Sequence, residues 1–320
     1  MTAKSTALVT GASGFIGRVL SQTLVEEGER VSGLMRTPQL GPWHRLIKLD
    51  LSVEVIPNNA LEGIDTVFHL AGRAHAIAER QPQEELYHRV NAKGTQNLIE
   101  ASIRNGVKRF VLFSSVKAMG DGTVNCQDES AMCSPSSAYG RSKLDAERLV
   151  LKAGKESDLH VVVLRLPLVY GPGVKGNLAS MLAAIASNRF PPLKITENKR
   201  SMIHVADVAR AARAVIATET SVGQIYIITD GVAYSTTTIY KLMCAALNKS
   251  PPRWHVPLWI LRAMARFGDT YGFVSGRRFP IDSHTLCRLT ESAWYSSEKI
   301  REQLGFRTMH RFEKSVKEMS

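Results

Sequence analysis

Residues 6–17 read TALVTGASGFIG, and this stretch decides the fold. Its first part, TALVTG (6–11), is short, apolar and β-branched, as a buried strand is. Gly11, Gly14 and Gly17 then follow at a spacing of three, and an apolar helical pattern runs on from Gly14 to about Glu27. A strand that passes through such glycines into a helix opens a dinucleotide-binding βαβ unit. Gly11 permits the tight turn, Gly14 lets a pyrophosphate approach the backbone, and Gly17 lets helix and strand pack closely. The helix start offers its N–H groups and positive dipole end to the phosphates. A glycine triplet alone is weak, because turns use glycine anyway; the strand before it and the helix after it give it weight.

Outward from this unit the same alternation continues. Strands are expected at RVSGLM (30–35), RLIKLD (45–50), DTVFHLAG (65–72), RFVLFSS (109–115) and HVVVLRL (160–166). Helices are expected over roughly 83–105 and about 138–154. Apolar runs separated by helices imply an α/β fold, a doubly wound parallel sheet covered on both faces. After Pro167 prolines and glycines crowd LPLVYGPGVKGN (166–177); helices then dominate, with one further strand expected at QIYIITD (224–230). Residues 1–166 therefore read as the dinucleotide-binding part, and 167–320 as a smaller, mostly helical part interleaved with it. The active site is expected in the cleft between them, beyond the carboxyl ends of the strands.

Composition bounds the partners. The 320 residues are 44% hydrophobic and 22% charged, with a net charge of +12. The basic residues are scattered, with only short runs such as Arg277-Arg278, so attraction of an anionic small substrate fits better than nucleic-acid binding. Cys126, Cys133, Cys244 and Cys287 form no CxxC pair and no metal spacing. Together with a first strand so close to Met1, this points to reduced thiols, no bound metal and a cytoplasmic home. No apolar run has the length of a membrane span. PLWILRAMARF (257–267) has the pattern of a membrane-surface helix, but a packed amphipathic helix explains it more simply.

The cofactor is read from VSGLMRTPQ (31–39). The acid that holds a ribose 2′-hydroxyl belongs at the end of the second strand. Met35 and Arg36 stand there, and no carboxylate follows until Asp50. An arginine at this point pairs with a 2′-phosphate and stacks on adenine, which favours NADP over NAD; a solvated surface arginine is the plain alternative. Asp50 suits either the adenine edge or a cap on the segment after it.

The chemistry is read from YGRSK (139–143) and FSS (113–115). Tyr139 and Lys143 share a helix face. An ammonium beside the phenol, and a positive nicotinamide ring, would favour the phenolate and let Tyr139 move a proton at a carbonyl or alcohol carbon. Ser115 ends its strand where such sheets place active groups, and its hydroxyl is suited to hold the same oxygen. An incidental i,i+4 pair and a strand-end cap are the alternatives.

TGASGFIG, HLAG (69–72), VNAKGT (90–95), FSS, YGRSK and RLPLVYGPG (165–173) stand in one order along the chain. In this the sequence resembles the extended short-chain dehydrogenase/reductase family, with its Rossmann fold and its nucleotide-sugar epimerases, dehydratases and reductases. The resemblance implies a Ser115–Tyr139–Lys143 triad, with Lys143 also on the nicotinamide ribose. It implies a cofactor cleft lined by Gly11, Ser13, Gly14, Phe15, Ile16, Gly17, Leu51, Leu70, Ala71, Gly72 and Pro167, with Asn91 in support. It places Asn177 and Arg200 on the diphosphate of a UDP-sugar, and it implies a homodimer built as a four-helix interface. His204 and Asp207 read as packing or capping groups.

SSVKAMGDG, LPLVYGPGVKGN, RSMIHVADVARA and ITDGVAYST look like bacterial reductases of 4-keto sugar nucleotides, which make 6-deoxy-N-acetylhexosamines for surface polysaccharides such as the lipopolysaccharide O-antigen. Ala118-Met119 stands where UDP-glucose 4-epimerases carry Val-Tyr. Val116 and Lys117 stand where dehydratases carry an acid pair, which argues against dehydration. The expected activity is NADPH-dependent reduction of a UDP-4-keto-6-deoxy-N-acetylhexosamine; the alternative is an NAD-dependent C4 epimerase.

Overall fold

The computed structural model describes residues 6–73, 84–122, 125–192, 197–252, 254–275 and 282–319. Its main sheet is built from β1 (Thr6–Thr10), β2 (Arg30–Met35), β3 (Arg45–Lys48), β4 (Thr66–His69), β5 (Arg109–Ser115), β6 (His160–Leu166) and β9 (Gln224–Ile227). These seven strands lie in the order β3-β2-β1-β4-β5-β6-β9 and every pairing is parallel. β7 (Leu168–Tyr170), β8 (Arg200–His204) and β10 (Ala233–Tyr234) form a second sheet in the order β10-β8-β7.

The helices are α1 (Phe15–Glu26), α2 (Glu84–Tyr87), α3 (Gly94–Arg104), α4 (Ala138–Glu156), α5 (Asn177–Ala186) and α6 (Val205–Ile216). α7 (Thr236–Ala246), α8 (Leu258–Ser275), α9 (Ser283–Thr290), α10 (Glu298–Leu304) and α11 (Phe312–Ser315) complete the chain. Alternate residues of each central strand feed opposite cores, which is why these strands read as unbroken apolar runs. Ala7, Val9, Val111 and Val162 pack with Leu20 and Leu24 of α1 and Val208 and Ala212 of α6. Leu8, Phe110, Leu112, Val161 and Val163 pack with Leu98 of α3 and Ala146 and Val150 of α4.

Three expectations are corrected. The part after Pro167 is not helix with a single strand: β7, β8 and β10 form their own sheet, and β9 stops at Ile227. These strands are only two to five residues long, too short to carry a period of their own, and pairing creates them. The helix over 83–105 is not continuous. Residue 83 lies outside the described residues, and His88–Lys93 is a π-helical turn between α2 and α3, a feature that marks functional sites. The helix at 257–267 runs further, to Ser275, and Arg277-Arg278 lies outside the described residues. Among the described residues, no helix is long and apolar enough to cross a membrane.

Candidate active site

Strand order reverses between β1 and β4, which opens a crevice beyond their carboxyl ends. Gly11 turns there with φ +66°, and a Cβ on it would lie 2.9 Å from the Ala71 amide nitrogen. A Cβ on Gly17 would run into the Gly11 carbonyl oxygen, so only glycine lets α1 lie this close to the loop. Gly14 caps α1 with no side-chain hydrogen bond, so no side chain of the cap takes up the orphan amides of the first turn.

Beneath this loop lies a buried polar chain. The Ala71 amide donates to Thr10 Oγ1 (3.0 Å), Thr10 Oγ1 bonds His69 Nδ1 (2.7 Å), and His69 Nε2 bonds Thr95 Oγ1 (2.9 Å). Burial, with the charge of Lys143 nearby, pushes His69 down to about 3, so the ring stays neutral and structural. The chain ties β1, β4 and α3 together at the crevice floor.

The crevice holds a cavity of about 300 Å³. Gly11, Gly14, Phe15, Ile16, Gly17, Leu70, Gly72, Asn91, Ser115, Tyr139, Lys143 and Pro167 all line it. Ser13, Arg36, Asp50, Leu51 and Ala71 do not; Leu51 is core, and Ala71 is fixed by the Thr10 bond. Arg36 is exposed at the end of β2; against partial burial, the hydrogen bonds from Ser52, and then the charges of Arg36 and Arg89, hold the Asp50 carboxyl down. Asp50 Oδ1 accepts from the amide and hydroxyl of Ser52 (2.9 and 2.6 Å), so Asp50 caps the turn after β3.

Asn91 sits in the π-turn and joins two walls of the cavity. Its Oδ1 accepts from the Arg73 amide (2.7 Å), and its Nδ2 donates to Arg73 O (3.1 Å) and to Ser142 Oγ (2.9 Å). Ser142 in turn donates to Tyr139 O (2.9 Å), so the loop after β4 is tied to the helix that carries the tyrosine.

Tyr139 and Lys143 lie one turn apart on α4, and Ser115 ends β5 opposite them. Ser115 and Tyr139 are hydrogen-bonded, which lowers the phenol pKa, but burial outweighs this and leaves it above the usual tyrosine value. The serine also accepts from the Lys117 amide (3.2 Å), so it caps a turn and serves the site at once. Lys143 Nζ donates to Phe113 O (2.8 Å). Burial pulls the lysine down to about 8, against the pull of Glu147.

Glu147, one turn beyond Lys143, was not among the sequence candidates. It is a buried hub. Ser114 Oγ donates to its Oε1 (2.5 Å), and Arg165 grips both its oxygens, the shortest contact being 2.7 Å. Both side chains are almost fully buried. Tyr87 was also missed; its ring meets Tyr139 edge-on, 6.0 Å between centroids, and carries the Arg73 guanidinium over its face. The i,i+4 spacing of Lys143 and Glu147 was a usable signal for the first; nothing in the sequence marks the second.

A second cavity, of about 310 Å³, adjoins the first. The two share Phe15, Ser115, Tyr139, Leu166, Pro167 and Val169. Asn177, Arg200, Lys117 and Lys175 line the second, against a single acid, Glu291, so it suits an anionic ligand. Asn177 is the first residue of α5 rather than its cap, which is Gly176; Arg200 begins β8 and donates to Glu291 O (3.3 Å). His204 Nδ1 accepts from the Ala206 amide (3.2 Å) and caps α6. Asp207 is fully buried, bound by Arg210 and by the amides of Met309 and His310.

Known proteins are similar to this chain over nearly its whole length. A UDP-glucose 4-epimerase of Vibrio cholerae is 31% identical, over 97% of this chain and 93% of its own. A 3 beta-hydroxysteroid dehydrogenase/Delta 5-->4-isomerase of Mycobacterium tuberculosis is 26% identical, over 97% of this chain and 88% of its own. The solved structure of MoeE5 in complex with UDP-glucuronic acid and NAD superposes with a TM-score of 0.79 at 26% identity, covering 98% of this chain and 97% of that one. The sequence model of one family matches residues 7–229, so the chain belongs to the NAD dependent epimerase/dehydratase family.

Proposed function

We propose that the chain carries out oxidoreduction at C4 of a UDP-sugar, and that its net reaction is NADPH-dependent reduction of a UDP-4-keto-6-deoxy-N-acetylhexosamine. The carrying observation is the Ser115–Tyr139 pair, hydrogen-bonded where a glycine-floored cavity meets a cationic one. The residues of the first cavity fit a nicotinamide dinucleotide: glycines where a Cβ would collide, an uncapped helix start, and a buried lysine. When bound, that cofactor supplies the hydride.

The protein's own groups do the rest. Asn177, Arg200 and Lys175 hold the diphosphate, which fixes the sugar ring against the seam. Ser115 donates to the C4 oxygen and orients it. Tyr139 gives that oxygen its proton as C4 receives the hydride, so a ketone becomes an alcohol. A phenol raised by burial is protonated at neutral pH, the state a reduction consumes. Lys143, charged below about 8, would hold the cofactor's ribose beside Tyr139. Val116 is buried and Lys117 pairs with Asp121 (2.6 Å), so neither supplies the acid that dehydration requires.

Arg36 and the absence of an acid at the end of β2 support NADPH. The second reading, an NAD-dependent C4 epimerase on the same triad, is favoured by the Vibrio cholerae relative and by the NAD in the MoeE5 complex. The family resemblance in the sequence implies a homodimer through a four-helix interface, which we place on α3 and α4.

Purified protein with the 4-keto sugar nucleotide and NADPH distinguishes the readings. Loss of NADPH absorbance equal to the alcohol formed supports the reductase. A UDP-hexose interconverted at C4 with no net cofactor loss supports the epimerase. Arg36→Asp is expected to weaken NADPH at least tenfold more than NADH, the value of a charged contact to phosphate. Equal effects on both would mean that Arg36 does not read the 2′-phosphate.

A further inference from the structure

We propose that the outer face of α8 docks on the surface of an anionic lipid bilayer, with the substrate side of the molecule held against the membrane.

α8 has two unlike faces. Leu261, Ala265 and Gly268 are buried, and Leu261 and Ala265 pack with Leu286 of α9. Trp259, Arg262, Ala263, Arg266, Phe267 and Thr270 recur at helical spacing on the opposite side, and all are exposed. Trp259 is 70% exposed and Phe267 61%; Trp254, in the segment leading into the helix, is 64% exposed. Large aromatic groups are costly to leave in water, and here they alternate with arginines on one 18-residue helix.

Charge selects the occupant. The outer face carries Arg262 and Arg266. The one acid of the helix, Asp269, is engaged: its oxygens accept from the Ser283 amide (3.1 Å) and hydroxyl (2.5 Å). Along the sequence, residues 251–280 hold five arginines and this one acid, in a chain of net charge +12. Tryptophan and arginine are the residues that sit at the headgroup level of a bilayer, the ring in the interface and the guanidinium on lipid phosphates. A protein partner would have to present acidic and apolar groups in matching register; an anionic bilayer offers both everywhere.

The inner face gives the docking a purpose. Leu261 helps line an apolar cavity of about 580 Å³ among α5, α7 and α9, with Leu178, Met181, Phe190, Ile239 and Leu286. This cavity shares Leu168, Asn177, Leu178 and Arg200 with the anion-binding cavity. α8 is therefore a wall with the substrate side behind it and the aromatic–arginine face in front. If the second cavity holds the substrate, as proposed above, docking would place the substrate side next to the bilayer.

The test is co-sedimentation of the full chain with vesicles, independent of any substrate. Phosphatidylcholine vesicles containing equal phosphatidylglycerol should bind the protein at low salt, and pure phosphatidylcholine much less. Arg262→Ala/Arg266→Ala should weaken the anionic binding about thirtyfold, from the worth of two basic side chains at a charged surface. Trp254→Ser/Trp259→Ser should weaken it at least tenfold and remove the blue shift of tryptophan emission. Both variants change exposed side chains only, and unchanged thermal melting checks their folding. No binding by the wild type, or equal binding by both variants, overturns the proposal. So does a wild-type dimer that Trp254→Ser/Trp259→Ser converts to monomer without any vesicle binding, which would make the face an interface between copies.

Discussion

Lys143→Met should abolish turnover and yet make the ligand-free protein more stable. The side chain is 7% exposed, and burial holds its pKa near 8 instead of 10.5. That gap is about 2.5 pH units, and at about 1.36 kcal/mol for each the native state loses about 3 kcal/mol by keeping the ammonium charged at pH 7. Methionine has a similar reach and no charge. It forfeits the charged bond to Phe113 O, worth about 2 kcal/mol, so the variant should gain about 1 kcal/mol. Between pH 8 and 10.5 the unfolded chain keeps a proton that the native lysine has released, so wild-type stability rises through this window. The advantage of the variant should therefore shrink as pH rises and be gone by about pH 10. Urea denaturation midpoints at pH 7 and pH 10, with m-values checked for constancy, measure both quantities. A variant less stable at pH 7, or a difference that does not change with pH, would refute the reasoning, because the lysine would then be solvated or paired in the native state.

Other substitutions probe the remaining parts. Tyr139→Phe removes the proton donor and should lower turnover by at least about a hundredfold, with cofactor affinity unchanged by fluorescence titration; turnover near the wild type would sink the triad. Glu147→Gln strands the buried Arg165 and should cost about 3–5 kcal/mol in thermal or urea unfolding, whereas Glu147→Met/Arg165→Met should recover most of it. A double variant as weak as the single would mean that the cost lies elsewhere. Gly17→Ala should keep the fold but lower dinucleotide affinity at least tenfold, because its Cβ would meet the Gly11 carbonyl and part α1 from the loop. Unchanged affinity by titration calorimetry would contradict that geometry.

The parts of this molecule that were legible in sequence are those in which one local rule suffices. β1, β2, β5 and β6 are apolar runs bounded by turns; the glycine loop and Ser115 sit at the ends of such runs, and Tyr139 and Lys143 stand one turn apart on α4. What escaped depends on contacts between distant segments. β8 becomes a strand because β7 and β10 pair with it. The π-turn at Asn91 exists where the helix must bring one amide to Arg73 and Ser142 together. Spacing places Lys143 beside Tyr139 on one helix face, but it does not report the burial that lowers the lysine's own pKa.

The position of β9 has a consequence for how the chain is made. β6 lies between β5 and β9, and all seven of its residues are buried in the finished sheet. About sixty residues separate β6 from the end of β9, and a ribosome takes roughly 3–12 seconds to add them. Over that interval the nascent chain carries the largely apolar strand HVVVLRL with one edge unpaired, and α1 lacks α6 as a cover. Unpaired apolar edges recruit other strands. The newborn protein is thus most exposed to mispairing after Ser115, Tyr139 and Lys143 have been synthesised and before the strand that pairs with the free edge of β6 has emerged.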